Sequence, residues 1–329
     1  MAVAMAALLP EFVQATDPPR PMRIGVVFGR IPVGDLTGTS PVFPGARVLR
    51  QSLKDLGWID GKNLEILWRS TEGDLERMSP IVGELLERRV DVLAISGNPQ
   101  IAKAIAATRD VPIVMMVSTR PVDAGLVASI ARPGGNVTGM YSEPDASLNG
   151  KRLALLKQAA PGISRVAFLH DEKVNSMSGG ITPETEAAAK ALGLVLLPFG
   201  VDTQQQLEGA LMAAIAQGAN ALFVDTSLAA AFGDQRAFHA LAERHKLPAL
   251  HTYANAVTTG GLMFYGNDSA ETYRRSAYFL DRILRGSKPA DLPVQQATTY
   301  ILTLNMKAAK AIGLTIPAAL VVQADRVIE

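Results

Sequence analysis

From Met22 onward, short β-branched apolar runs alternate with longer stretches whose apolar residues recur at helical spacing. The densest part spans residues 89–141. It contains apolar runs at 90–95, 112–117 and 136–140. The first two end in small polar triplets, Ser96-Gly97-Asn98 and Ser118-Thr119-Arg120, and an alanine-rich helical pattern is expected after each. Near-continuous apolar strands alternating with helices predict a parallel sheet covered on both faces. Ligands of such sheets sit beyond the carboxyl ends of the strands, where helix N-termini present free N–H groups. The two triplets fall at that place.

The same pattern organises the whole chain. Strands are expected at Met22–Phe28, 63–68 and the three runs above, with helices at 45–56 and 74–89; Gly57 reads as the left-handed residue closing the first helix. Residues 29–44 form a Gly-, Pro- and Ser-rich connection, long enough to read as functional. After Tyr141 the alternation restarts, with helices at 146–159, 183–192, 204–217 and 231–245. Strands are expected at Arg165–His170, 194–199, Ala221–Val224, 249–252 and a short one at 262–264. A long amphipathic helix at 269–286, a proline-containing linker, a strand at 300–304 and a helix at 306–312 follow. The chain is therefore expected to be α/β, with two doubly wound parallel-sheet lobes. The elements left over at the end imply that it crosses between lobes several times, which makes a hinge.

Composition narrows the function. The 329 residues suffice for two domains at about 100–200 residues each. A net charge of +1 provides no field for nucleic acid or an anionic membrane, and the absence of cysteine removes disulfides and thiolate chemistry. Residues 1–21 resemble the tail of a secretory signal with a shortened apolar core, so export to the periplasm is expected. No later run approaches the ~20 apolar residues of a membrane span. The sequence carries no Gly-x-Gly-x-x-Gly, Walker A or Gly-x-Ser-x-Gly motif, and no cofactor is expected. His239 and His245 share a predicted helix but lie six apart, a poor match to metal-binding spacing, and His170-Asp171 ends a strand; no metal is expected.

Several segments together resemble a known family. They are 53–63 (LKDLGWIDGKN), 125–139 (GLVASIARPGGNVTG), 150–157 (GKRLALLK), 260–266 (GGLMFYG), 288–294 (KPADLPV) and 311–317 (AIGLTIP). In these the chain resembles the ABC-transporter substrate-binding proteins of the tryptophan-binding-like group, with the type I periplasmic-binding fold. The resemblance implies a clamshell that binds a small solute between its lobes and hands it to a membrane permease. The lobes are expected at 22–140 plus about 267–296, and 141–266 plus about 297–329. Two departures lie at the expected pocket. Ser118-Thr119-Arg120-Pro121-Val122 stands where relatives show a Gly-Asp-Pro-Val type of sequence, and Ser96-Gly97-Asn98-Pro99 where many have Gly-Gly-Thr-Pro.

Candidate ligand contacts follow from chemistry at the strand ends. Asn98 with Pro99 after it reads as a helix N-cap, so Ser96, Gly97 and Asn98 could serve capping, a carboxylate, or both. Ser118 and Thr119 offer hydroxyls, and Arg120 could clamp a carboxylate or pair with Asp123. Asp225, with Thr226 beside it, would receive an amino group or cap a helix. Phe28, Tyr141 and Tyr253 could stack on an aromatic ligand or simply pack. The leading expectation is a monomeric, non-enzymatic receptor for an amino acid or aromatic carboxylate. A ligand-sensing regulator would need a helix-turn-helix segment, for which the residues before the first strand are too few. A hydrolase on the same fold would need two carboxylates meeting from opposite lobes.

Overall fold

The computed structural model describes residues 20–142, 145–171, 181–201, 203–225, 228 and 235–329. The expected leader lies outside these, apart from its last two residues. The strands form two sheets. The first has six strands in the order β11-β5-β4-β3-β1-β2, with β1 Met22–Phe28, β2 Leu64–Ser70, β3 Val92–Ser96, β4 Ile113–Val117, β5 Val137–Tyr141 and β11 Gln295–Gln296. The second has seven in the order β13-β12-β10-β9-β8-β6-β7. They are β6 Arg165–His170, β7 Val195–Gly200, β8 Ala221–Val224, β9 Ala249–His251, β10 Met263–Asn267, β12 Tyr300–Asn305 and β13 Arg326–Ile328.

Both faces of each sheet are buried, which is why the strands read as near-continuous apolar runs. In β1, Ile24, Val26 and Phe28 face one core with helices Pro44–Asp55 and Ser269–Leu284. Val27 faces the other, with helices Met78–Glu87 and Asn98–Ala107. The second sheet is packed likewise, Phe168 and Phe223 on one face and Leu169 and Val224 on the other. The turn after the first long helix is closed by Gly57 at φ 95°, a left-handed conformation that a side chain would strain.

Three departures from the sequence pattern shape the molecule. No helix joins β4 to β5. Pro121 and Pro133 with Gly125, Gly134 and Gly135 break the alanine-rich stretch, which closes a turn through Ala124 N–H donating to the Arg120 carbonyl at 2.9 Å. The irregular segment still covers its own face of the sheet, with Leu126 and Val127 packed in one core with Met115 and Val137, while the opposite face of β3, β4 and β5 takes Ser269–Leu284, a helix from much later in the chain. Second, the strand expected at 262–264 continues to Asn267. Third, β12 runs antiparallel to β10 while the remaining pairings are parallel. The reason is topological: β10 leaves the second sheet at its carboxyl edge, the chain builds Ser269–Leu284 and β11 on the first sheet, and it re-enters at that same edge. The chain thus passes between the sheets after β5, after β10 and after β11.

Candidate functional site

The carboxyl ends of β3 and β4 are locked together by one side chain. Asn98 donates from Nδ2 to the Thr119 carbonyl at 2.7 Å and accepts the Thr119 N–H at Oδ1, 3.1 Å. The expectation that Asn98 caps its own helix is corrected by this geometry. The cap residue is Gly97, at φ 99°, with no side-chain cap, and Asn98 is already inside the helix. Gln100 then lies over the ends of β1 and β3, since a Cβ at Gly29 would meet its Nε2 at 2.9 Å and one at Gly97 would collide with its Oε1. Sequence reasoning passed over Gln100; two glycines flanking a helix start were the available signal.

Ser118 is 2% exposed and its Oγ has no partner; the Oγ of Ser96 is buried and unpartnered as well. The Ser118 carbonyl accepts the Ser142 N–H at 2.9 Å, so this strand end is tied to the first crossing between the sheets. Arg120 is exposed, holds a strained φ of 43° and makes no ion pair with Asp123. Tyr141 ends β5 and donates from its hydroxyl to Gln296 Oε1 at 3.3 Å, which links two crossing connectors. Phe28 sits in the core, its ring 5.3 Å from Phe43 and 6.2 Å from Tyr273.

In the second sheet, β6, β8 and β9 are neighbours, and their ends carry His170, Asp225 and Tyr253. Asp225 is buried, its N–H donating to the Leu169 carbonyl at 2.9 Å. Thr226 lies outside the described residues. Tyr253 is 7% exposed, its hydroxyl lacks a partner, and burial pushes its pKa above the usual tyrosine value. Behind it stands His251, fully buried with neither ring nitrogen partnered. Burial first, then the nearby His239, holds its pKa well below 6.5. The His239 and His251 rings are 5.0 Å apart at 82°, a pairing the sequence did not suggest. Among the described residues no three His, Cys, Asp or Glu side chains converge as metal ligands, and no helix is long and apolar enough to cross a membrane.

A common feature connects these positions. Buried polar atoms without a partner recur at strand ends of both sheets: Ser96 on β3, Ser118 after β4, His170 on β6, Tyr253 after β9 and Asn267 on β10. A buried hydroxyl or amide left unpaired costs about 1–3 kcal/mol. Strand ends are where α/β sheets bind ligands, which makes these atoms candidates for ligand contact; others of the same kind, on Arg50, Trp68 and Gln235, lie away from strand ends. Two cavities lie among the described residues, the first reaching His170 at the end of β6. One of about 340 Å3 is lined by His170, Glu186, Leu194 and Leu196, and one of about 200 Å3 by Asp268, Arg275 and Gln295 at the crossings.

The chain is similar to several known proteins. The "Tyrosine-binding protein" of Clostridioides difficile (strain R20291) is 24% identical over 265 residues, 80% of this chain and 75% of that protein. Among solved structures, the ABC domain in complex with L-Trp from Streptococcus pneumonia superposes with a TM-score of 0.74. It is 24% identical and covers 94% of this chain and all of its own. A conserved domain protein from Vibrio cholerae O1 biovar El Tor gives a TM-score of 0.76 at the same identity and coverage. These likenesses show the type I periplasmic-binding fold. The family model described as ABC transporter substrate binding protein matches residues 46–328, and the chain belongs to that family.

Proposed function

We propose that the chain is the extracytoplasmic, monomeric receptor of an ABC importer and that its solute is an amino acid with an aromatic side chain. The solute would be taken up between the lobes and handed to a membrane permease. The observation that carries this reading is the set of unpartnered polar atoms at strand ends of both sheets. In this reading Ser96 and Ser118, with the uncapped N–H groups after Gly97, receive the carboxylate, and Thr119 stands beside them. Asp225 faces the amino group, and Tyr253 supplies an aromatic wall with a hydroxyl at its tip. Arg120 at the rim draws the anionic end in. The named ligands of two relatives, tyrosine and L-Trp, support an aromatic side chain.

Isothermal titration with L-tryptophan, L-tyrosine, L-phenylalanine, L-leucine and 3-indolepropionate tests the assignment. The three aromatic amino acids are expected to bind at least about tenfold more tightly than leucine, a difference of about 1.4 kcal/mol. Equal binding of 3-indolepropionate would remove Asp225 from the role given to it. Binding of none of the five would refute the ligand class.

A further inference from the structure

We propose that Asp268 is an ionic pivot between the two lobes that sets how far they open. The inference rests on the reading of the chain as a receptor whose lobes move. Asp268 is the single residue between β10, in the second sheet, and the helix Ser269–Leu284, which packs on the first. Its side chain is 9% exposed, yet both carboxylate oxygens are used by groups from different bodies. Oδ1 accepts the Ala270 N–H at 3.1 Å, capping the helix, and lies 3.5 Å from Arg326 Nη2 on β13 of the second sheet. Oδ2 lies 3.3 Å from Arg274 Nη2, one turn into the helix on the first sheet. The main chain of Asp268 is engaged as well, its N–H donating to the Thr299 carbonyl at 2.8 Å, so it also holds the third crossing.

One carboxylate therefore joins a cation from each lobe at the point about which the lobes must turn. A polar cavity of about 200 Å3, lined by Asp268, Thr272, Arg275 and Thr298 among others, adjoins it and gives the connectors room to shift. Arg274 and Arg326 are half-exposed, so each pair is weak and sensitive to salt. Weakness suits the role. A lobe equilibrium that a solute must be able to reverse is usefully biased by a few-fold, whereas a strong buried pair would fix it.

The test uses the absence of native cysteine. Lys62→Cys and Lys190→Cys, both exposed and one on each lobe, take a spin-label pair, and the interlobe distance distribution is measured without ligand. Arg326→Met, Arg274→Met and Asp268→Asn are compared with Arg77→Met, which removes an equally exposed arginine paired with Glu72 far from the crossing. The first three are expected to change the ratio of distance populations about two- to fivefold, and Arg77→Met to leave it unchanged. Raising salt to about 1 M, where screening acts within about 3 Å, should shift the wild-type distribution the same way and leave Asp268→Asn unmoved. Distributions of the arginine variants that superpose on wild type at low salt would overturn the proposal. If Asp268→Asn melts early through loss of the cap, the two arginine variants decide alone. Titration of wild type with L-tryptophan runs in parallel. Absence of any response counts against the ligand assignment, while the pivot is judged on the ligand-free distances.

Discussion

Ser118→Ala separates a binding surface from a core. The Ser118 hydroxyl is buried, 2% of the residue is exposed, and its Oγ has no hydrogen-bond partner. Burial of that hydroxyl already costs about 1–3 kcal/mol, and removing it relieves the cost while losing only a small transfer term. The variant is therefore expected to be as stable as wild type without ligand, or more stable by up to about 2 kcal/mol. With ligand the sign reverses. Losing one hydrogen bond to a charged carboxylate costs about 1.5–3 kcal/mol, at least tenfold in affinity. At a tryptophan concentration about 100 times the wild-type Kd, linkage adds about 2.7 kcal/mol to wild type; tenfold weaker binding leaves about 1.4 kcal/mol. Urea unfolding with and without L-tryptophan reads both quantities in one experiment. If the ligand-free variant loses more than about 1 kcal/mol while the ligand increment stays at its wild-type size, Ser118 is packing and the assignment of the strand ends is wrong.

Other residues give independent checks. His251 is neutral when folded because burial depresses its pKa below 6.5. Its contribution is therefore fully present above that pH and is lost as pH falls below it, by up to about 1.4 kcal/mol per unit. Comparing urea unfolding at pH 7.5 and 5.5, His251→Leu should lose less stability on acidification than wild type; equal losses would refute this. Gly139 sits at φ 131°, and an added Cβ would collide with the Met115 main chain, so Gly139→Ala should cost more than about 4 kcal/mol or prevent soluble expression. Trp58 donates from Nε1 to Asp281 at 2.9 Å beneath the Arg285 guanidinium, pinning the returning helix to the first lobe. Trp58→Phe should cost about 1–3 kcal/mol in urea unfolding, and a change under 0.5 kcal/mol would show the contact to be incidental.

The strands were legible because burial on both faces leaves no polar alternation to confuse them, and Gly57 and Gly193 mark helix ends with left-handed φ of 95° and 66°. What failed depended on partners distant in sequence. The alanines after Arg120 favour helix locally, but the segment is held in irregular form by Leu126 and Val127 in a core shared with Ile101 and Val294 and by the Val294 N–H on the Ile130 carbonyl at 2.9 Å, while Ser269–Leu284 covers the opposite face. Asn98 has the composition of a cap, and only the arrival of Thr119 from the next strand makes it a clamp. Phe28 ends a strand as a stacking residue might, yet Tyr273, from the returning helix, closes over its ring. Asp225 and Tyr253 were readable as strand-end residues. Their burial was not, because it depends on the helices packed around them.

The strand-end groups also bear on why such a protein closes. In one lobe alone Ser96 and Ser118 can meet only half a ligand, and Asp225 and Tyr253 only the other half. A solute that satisfies one set gains nothing from closure, and equal affinity for both lobe arrangements shifts no equilibrium. To carry the lobes from about 1% to about 99% closed, a solute must favour the closed form about 10⁴-fold, or about 5.5 kcal/mol. Two or three hydrogen bonds to charged groups, at about 1.5–3 kcal/mol each, supply that amount only if they form on closure. An aromatic amino acid has the required asymmetry, with a carboxylate for the first lobe and an ammonium and ring for the second. A simple aromatic acid lacks the ammonium and should bind while closing the lobes incompletely. Labels on Lys62→Cys and Lys190→Cys can show this: saturating 3-indolepropionate should leave a substantial open population that saturating L-tryptophan removes. Identical distances under both ligands would mean that closure is driven without Asp225.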